Sequence, residues 1–188
     1  MKPGIYMLFA AVLAAVMTAA AGSARAGTLE WLQPPGAPGS PPKKVISLAP
    51  SITEILFEVG SGGAVAGATR YDDWPPEARK IKRVGGYLDA DIEAIIAMKP
   101  DAVFCEKNSG VKNTVEKLAS LGIPVGVVST PDMGSILSAT EEIGAAMGRA
   151  AAGKQSAASM RARLGAVESA VRGLRRPGVL VLYNIAPP

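Results

Sequence analysis

Short apolar runs alternate with helix-forming stretches from residue 43 onward, and this alternation constrains the fold more than any other feature. The predicted strands cover residues 45–48, 65–68, 101–105 and 124–129. Short apolar strands that alternate with helices form βαβ units, which build a parallel sheet through right-handed crossovers. The sequence therefore predicts an α/β fold, in which ligands bind beyond the carboxyl ends of the strands.

Helix signals occur between and after these strands. Ser51 and Glu54 have the S-x-x-E spacing of a capping box, and Asp89 or Asp91 is placed to cap the next helix. Later helices are predicted over residues 111–121, 131–147 and 150–175. The last of these would be nearly 40 Å long at about 1.5 Å per residue. A fifth strand, 179–183, either returns to the same sheet or opens a second domain.

The N-terminus is typical of an export signal. An uncharged, largely apolar run over residues 3–23 is followed by Ala24-Arg25-Ala26, the small-x-small pattern of a signal-peptidase site. A membrane anchor is the alternative, but the run ends in small residues rather than in a basic stop. We predict a signal peptide over 1–26 and an extended, Pro-rich tether over 27–42. The mature chain would be exported.

Composition excludes several classes of function. The chain has no His and one cysteine, Cys105, so zinc sites of the usual ligand types and Ser-His-Asp or Cys-His catalysis are excluded within it. Removal of residues 1–26 lowers the formal net charge from +4 to +2, which does not favour nucleic-acid binding. Neither a phosphate loop nor a nucleophile elbow occurs. We therefore expect neither an enzyme nor a cofactor or metal site. Cys105 ends an apolar strand and is predicted to be buried.

Two loops that follow predicted strands carry candidate ligand contacts. Tyr71 and Tyr87 each offer a flat apolar face with a hydroxyl group, and Arg70 can pair with an anionic group. Packing of the loops is the alternative for both tyrosines, and the residues leave that choice open. For Trp74, which precedes two prolines, packing is the favoured interpretation.

Several motifs together resemble one family. VISLAPSITE (45–54), YDDWPPEA (71–78), VGGY (84–87), IEAI (92–95) and MKPD (98–101) occur in its order and spacing. In these motifs the chain resembles the periplasmic iron-chelate and cobalamin binding proteins of ABC importers, from about residue 43 to 183. The resemblance implies two α/β lobes joined by a long helix, with the ligand held between the lobes.

On that pattern the chain divides into five parts. Beyond the signal peptide and tether, the resemblance implies an N-terminal ligand-binding lobe over 43–130, a helical connector over 131–176, and the start of a C-terminal lobe over 177–188. Most of the second α/β lobe is then missing from this chain.

The resemblance also assigns roles to single residues. It places Ser51, Tyr71, Tyr87 and Glu106 at the ligand, with a poor match at Glu106, and it places Glu93 where the lobe docks onto arginines of an inner-membrane ABC permease. The implied ligand is cobalamin or a ferric chelate, and the paired tyrosines favour cobalamin because flat ligands gain from aromatic faces. A heme- or siderophore-specific binder and a non-transport sensory module are the alternatives. Without His, only a tyrosinate could ligate heme iron.

Overall fold

The computed structural model describes residues 27–36, 40–107 and 111–181, so the predicted signal peptide lies outside the described part of the chain. Six strands form one sheet: Leu29–Trp31 (β1), Val45–Ser47 (β2), Val65–Ala68 (β3), Lys82–Arg83 (β4), Ala102–Glu106 (β5) and Val125–Val128 (β6). The α-helices of these residues are Pro50–Glu58 (α1), Ile92–Ala97 (α2), Lys112–Ser120 (α3), Met133–Ala146 (α4) and Ala150–Val171 (α5). Short 3-10 turns cover Gly62–Ala64 and Pro76–Lys80.

The strand order across the sheet is β1-β6-β5-β2-β3-β4. Strands β2 to β6 pair in parallel and β1 pairs antiparallel with β6, which confirms the predicted α/β fold. The chain order reverses at β2, because β3 and β4 lie on one side of it and β5 and β6 on the other. In such sheets a crevice opens at the carboxyl ends of the strands that flank the reversal, here β2 and β5.

Helices cover both faces of the sheet, so its central strands are buried on both sides. On one face Ile52 and Leu56 of α1 share a buried cluster with Ile143 of α4 and Phe104 of β5. The other face is covered by α2 and α3, whose buried residues include Ile95 and Leu118. Burial on both faces explains the nearly continuous apolar strands, since neither face can carry polar side chains at low cost. It also buries Cys105, as predicted.

The prediction of an extended tether over 27–42 is wrong for residues 29–31, because these residues form β1. Leu29 and Glu30 pair with Val128 and Val127 of β6. Trp31 packs edge-on against Phe104, with 5.3 Å between ring centroids. The apolar side chains of this short strand find their partners about 100 residues away, and a local reading of a Pro-rich segment does not show them.

Caps were predicted for the starts of two helices, α1 and α2, and only the prediction for α2 is confirmed. The predicted capping box at Ser51 and Glu54 is wrong: α1 begins two residues earlier, with Ala49 as N-cap and no side-chain cap. Pro50 explains the shift, because its fixed φ suits the first helical position and needs no N–H partner. At α2 the cap is Asp91, whose carboxylate accepts a 2.9 Å hydrogen bond from the Ala94 N–H.

The long C-terminal helix is shorter than predicted and packs closely on α4. It ends at Val171 rather than Arg175, and Gly173 follows with a φ of 81°. The predicted strand 179–183 does not form over 179–181, which are exposed and unpaired, and residues 182 and 183 lie outside the described part. Helices α4 and α5 approach most closely at Gly144 and Gly153, where a Cβ on Gly144 would lie 2.9 Å from the Cα of Gly153.

Candidate ligand-binding site at the carboxyl edge of the sheet

Three loops at the carboxyl edge of the sheet meet at Glu106. The Tyr87 hydroxyl donates a 3.0 Å hydrogen bond to Oε2 of Glu106. The Thr130 hydroxyl donates a 3.2 Å hydrogen bond to Oε1 of the same carboxylate. Glu106 ends β5, Thr130 follows β6, and Tyr87 lies in the loop before α2. The carboxylate therefore ties together segments that are distant in sequence.

Thr130 was not predicted as a site residue. It lies two residues beyond the end of β6, which places it at the same edge as the other loops. The rule that ligands bind beyond the carboxyl ends of parallel strands could have found it.

Glu106 borders an open cavity of about 960 Å³. Ser51, Trp74, Glu106, Thr130, Met160 and Arg163 are among the residues of its wall. These residues come from the first turn of α1, the loops after β3 and β6, the last residue of β5, and α5. The wall combines apolar side chains with carboxylates and one guanidinium, as in sites that bind amphipathic ligands. Of the predicted ligand contacts, the structure brings Ser51 and Glu106 together here.

Ser51 reaches the cavity because α1 begins directly behind β2. It is exposed and occupies the first turn of that helix, after Pro50. Its hydroxyl is therefore available at the rim of the crevice.

Arg70 and Tyr71 lie outside the wall of this cavity. Arg70 donates a 2.8 Å hydrogen bond to Asp89, and this contact and the charge of Asp89 raise the pKa of the guanidinium above its usual value. The same guanidinium lies 5.9 Å from the ring centroid of Tyr71, whose side chain is 56% exposed. Arg70 thus bridges the loop after β3 and the loop before α2, and its charge is already partly satisfied by Asp89.

Hydrogen bonds among buried and half-buried groups hold the loop that carries Tyr71 and Trp74. The Thr69 hydroxyl donates a hydrogen bond to Oδ2 of the buried Asp72. Arg83 donates to the carbonyl oxygens of Thr69 at 3.0 Å and Asp72 at 2.8 Å. These bonds hold the turn rigidly enough to present its aromatic side chains outward.

The sequence favoured a packing role for Trp74, and the structure shows that this interpretation is wrong. It is 60% exposed and forms part of the cavity wall. The two prolines after it shape the loop but leave its ring uncovered by the described residues. An exposed large aromatic ring at the rim of a cavity is a candidate ligand contact.

Glu93 lies on a different surface from the cavity wall. It occupies the first turn of α2, is exposed, and forms no ion pair within the described residues. A carboxylate in a first turn is favoured by the helix dipole. Its position is therefore compatible with contact to another molecule.

Cys105 lies directly before Glu106 but points into the core. Burial removes water from the thiol and raises its pKa to about 12. No group of three His, Cys, Asp or Glu side chains suited to a metal ion occurs among residues 27–36, 40–107 and 111–181. In that same part of the chain, no helix has both the length and the apolar character needed to cross a membrane.

The sequence matches the family model described as periplasmic binding protein over residues 45–187. The chain belongs to this family. This match confirms the resemblance to the iron-chelate and cobalamin binding class, which was inferred from the motifs.

Relatives and solved structures of periplasmic binding proteins agree with this assignment. A vitamin B12-binding protein of Vibrio campbellii is 30% identical over 128 residues, which are 68% of this chain and 46% of that protein. The vitamin B12 binding protein BtuF of Vibrio cholerae is similar in structure, with a TM-score of 0.66 and 27% identity over 71% of this chain and 52% of that one. The heme-binding protein RhuT of Roseiflexus has a TM-score of 0.66 at 24% identity, over 72% of this chain and 52% of that one, and supports the fold alone.

The chain spans about half the length of the relatives it matches. The matched half contains the parallel sheet, its carboxyl edge and the cavity beside Glu106. The division of the chain into an N-terminal lobe, a connector and a C-terminal lobe, at residues 130 and 176, stays a prediction.

Proposed function

We propose that this periplasmic binding protein captures cobalamin at the carboxyl edge of its sheet and delivers it to an ABC permease. The observation that carries the proposal is the cluster of Tyr87, Glu106 and Thr130 beside an open cavity of about 960 Å³. Relatives named for vitamin B12 binding support the choice of ligand.

The chemistry of the cavity suits a corrinoid. Cobalamin is a broad ring system with amide groups at its edge, and amide N–H groups donate to carboxylates. Glu106 offers carboxylate oxygens that are already oriented by two hydroxyl donors. Trp74 offers an exposed ring to an apolar face of the ligand. Ser51 adds a hydroxyl at the rim of the same cavity.

A heme-specific binder is the second candidate, and one contact favours it. Tyr71 is exposed and lies beside the Arg70 guanidinium. The side-chain oxygen of an exposed tyrosine can serve as a ligand to ferric iron, and the neighbouring guanidinium can pair with an anionic group of the ligand. Tyr87 is less suited to that role, because loss of its proton would bring an anionic oxygen to 3.0 Å from Glu106.

Absorbance titration of the 188-residue chain with cyanocobalamin, hemin and a ferric siderophore separates these ligands. Trp74→Ala is expected to weaken cobalamin binding by roughly 1–3 kcal/mol, as expected for truncation of a buried aromatic contact. Glu106→Gln should weaken it by about 1–2 kcal/mol, because a carboxylate accepts hydrogen bonds more strongly than an amide.

Matched controls lie away from the cavity wall. Glu116→Gln removes an exposed carboxylate whose ion pair with Lys112 spans 3.8 Å, and Leu121→Ala truncates an exposed apolar side chain. Both controls should leave the affinity unchanged. Tight binding of hemin that depends on Tyr71, without cobalamin binding, would replace the first candidate with the second.

Delivery to a permease is proposed to depend on Glu93. Its exposed carboxylate contributes little to folding, but it can orient the lobe against a basic partner. Glu93→Arg should abolish uptake of labelled cobalamin in cells that depend on this importer, while the purified variant keeps its affinity. Uptake equal to that of the unaltered protein would show that delivery does not depend on Glu93. Absence of uptake with the unaltered protein itself would favour a sensory module that does not transport.

A further inference from the structure

Helix α4 holds the start of the described chain through a single carboxylate. Oε1 of Glu142 accepts a 3.2 Å hydrogen bond from the Thr28 N–H. Oε2 accepts hydrogen bonds from the Thr28 hydroxyl at 3.0 Å and from the Leu29 N–H at 2.6 Å. Three donors from two consecutive residues therefore converge on Glu142, just where β1 begins.

The negative charge of Glu142 has no cationic partner in the described part of the chain. The ion pairs there join Arg70 to Asp89, Lys112 to Glu116 and Arg161 to Glu141, and none includes Glu142. Glu142 is half-buried, so its charge is less screened by water than that of an exposed carboxylate. A cation placed at this point would be attracted.

Gly27 lies directly against this carboxylate. A Cβ built on Gly27 would be 3.3 Å from Oε2 and 3.6 Å from Oε1 of Glu142. The nitrogen of a residue lies about 2.5 Å from its own Cβ position, which bonded geometry dictates. The Gly27 nitrogen is therefore within about 6 Å of the carboxylate, a distance at which opposite charges interact.

We propose that Glu142 is the acceptor for a new N-terminus that signal-peptide removal creates at Gly27. The proposal rests on the predicted cleavage after Ala26 and is independent of the ligand. Hydrolysis of the Ala26–Gly27 amide adds the hydroxyl of water to the Ala26 carbonyl carbon and its proton to the Gly27 nitrogen. At neutral pH the freed Ala26 acid releases a proton to solvent, and the Gly27 amine takes one up.

Signal-peptide removal thus converts the neutral amide nitrogen of Gly27 into an ammonium group. This ammonium lies beside the Glu142 carboxylate, which accepts hydrogen bonds but forms no ion pair in the described part of the chain. The ion pair adds a further contact between the start of β1 and α4 once the signal peptide has been removed. In the precursor the same position carries an amide, and only the three hydrogen bonds to Glu142 tie the start of β1 to this carboxylate. This ion pair would make the folded lobe more stable after signal-peptide removal than before it.

The stabilisation by this ion pair should depend on pH, because it requires the positive charge of the Gly27 ammonium. The pKa of the Gly27 ammonium should rise above the ordinary range of about 7.7–8.0. Its stabilisation is then complete below pH about 7.5 and is lost as pH rises through the elevated pKa. Two other carboxylates are close in sequence to Glu142 or to Gly27: Glu141, whose carboxylate is 4.0 Å from Arg161, and Glu30 in β1. Arg161 offsets Glu141, so Glu142 remains the dominant partner.

The test begins with the full chain, signal included, exported from a bacterial host. Mass spectrometry of the purified protein should show loss of 26 residues and a start at Gly27. Acetic anhydride at pH about 6.5 acetylates the α-amine selectively, because its pKa is lower than that of lysine. Acetylation should lower the melting temperature by about 2–6 °C at pH about 6.5 and change it little at pH 10.

Glu142→Gln and Glu141→Gln separate this contact from a general effect of acetylation. Glu142→Gln keeps one oxygen acceptor, which can serve the Leu29 N–H and the Thr28 hydroxyl, but removes the charge, so acetylation should no longer shift its melting temperature. The neighbouring Glu141→Gln should respond like the unaltered protein. An N-terminus other than Gly27, or an equal acetylation effect in Glu142→Gln, would overturn the proposal.

Discussion

The contact between α4 and α5 leads to a prediction with a built-in control. Gly153 of α5 faces the backbone of α4, and a Cβ there would lie 2.8 Å from the carbonyl oxygen of Thr140 and 3.2 Å from the Cα of Glu141. Backbone atoms cannot rotate away as a side chain can, so Gly153→Ala must push the two helices apart. Gly165 lies in the same helix, and a Cβ there would have no neighbour within 4 Å.

The opposing energies can be estimated for each site. Alanine is favoured over glycine in a helix by about 1 kcal/mol, and this gain applies at both positions. Overpacking at Gly153 costs roughly 1–3 kcal/mol, so Gly153→Ala should change the free energy of unfolding by about 0 to −2 kcal/mol. Gly165→Ala should raise it by about 0.5–1 kcal/mol. The two variants should therefore differ by about 1–3 kcal/mol, the cost of the clash alone.

Urea unfolding followed by circular dichroism measures this difference. A second readout is the affinity for the proposed ligand, cobalamin, because Ser156 and Met160 of α5 line the cavity. The Ser156 hydroxyl also donates a 2.9 Å hydrogen bond to Glu58 of α1. A displaced α5 should weaken that bond and alter the cavity. Equal stabilisation by both substitutions would refute the close approach of the two helices.

Three further predictions concern single side chains. Cys105 should resist a thiol reagent at pH 8 and react only in denaturant, because burial raises its pKa to about 12 and little thiolate is present; a colorimetric thiol assay measures this. Asp91→Ala should lower the free energy of unfolding by about 1 kcal/mol in urea melts, since it removes the cap bond to the Ala94 N–H. Glu93→Ala should leave the melting temperature within about 2 °C of the unaltered protein, because an exposed, unpaired carboxylate adds little to stability.

The fold class and the burial of the core were predictable because they depend on patterns within a few residues. Apolar runs such as 45–46 and 102–105 are buried on both faces of a parallel sheet, and this environment favours a nearly continuous apolar sequence. The burial of Cys105 follows from the same pattern. The helix cap at Asp91 was predictable as one of two choices, since capping is a local interaction.

The candidate site could be predicted only in part. The family resemblance placed Ser51 and Glu106 at the ligand, and the rule that ligands bind at the carboxyl edge pointed to the loops that carry Tyr71, Trp74 and Tyr87. It did not distinguish Trp74, which lines the cavity, from Tyr71, which lies outside its wall. That difference depends on how the loop after β3 turns, which buried hydrogen bonds to Thr69 and Asp72 decide.

What the sequence alone determined is therefore the succession of strands and helices, the apolar core and the family motifs. Tertiary structure alone decided that residues 29–31 join the sheet, that Tyr87 and Thr130 meet on Glu106, and that Glu142 receives the start of β1. Each of these contacts joins segments between 19 and 114 residues apart. A donor or an apolar side chain carries no local mark of a partner so far along the chain, and only the folded sheet brings the two together.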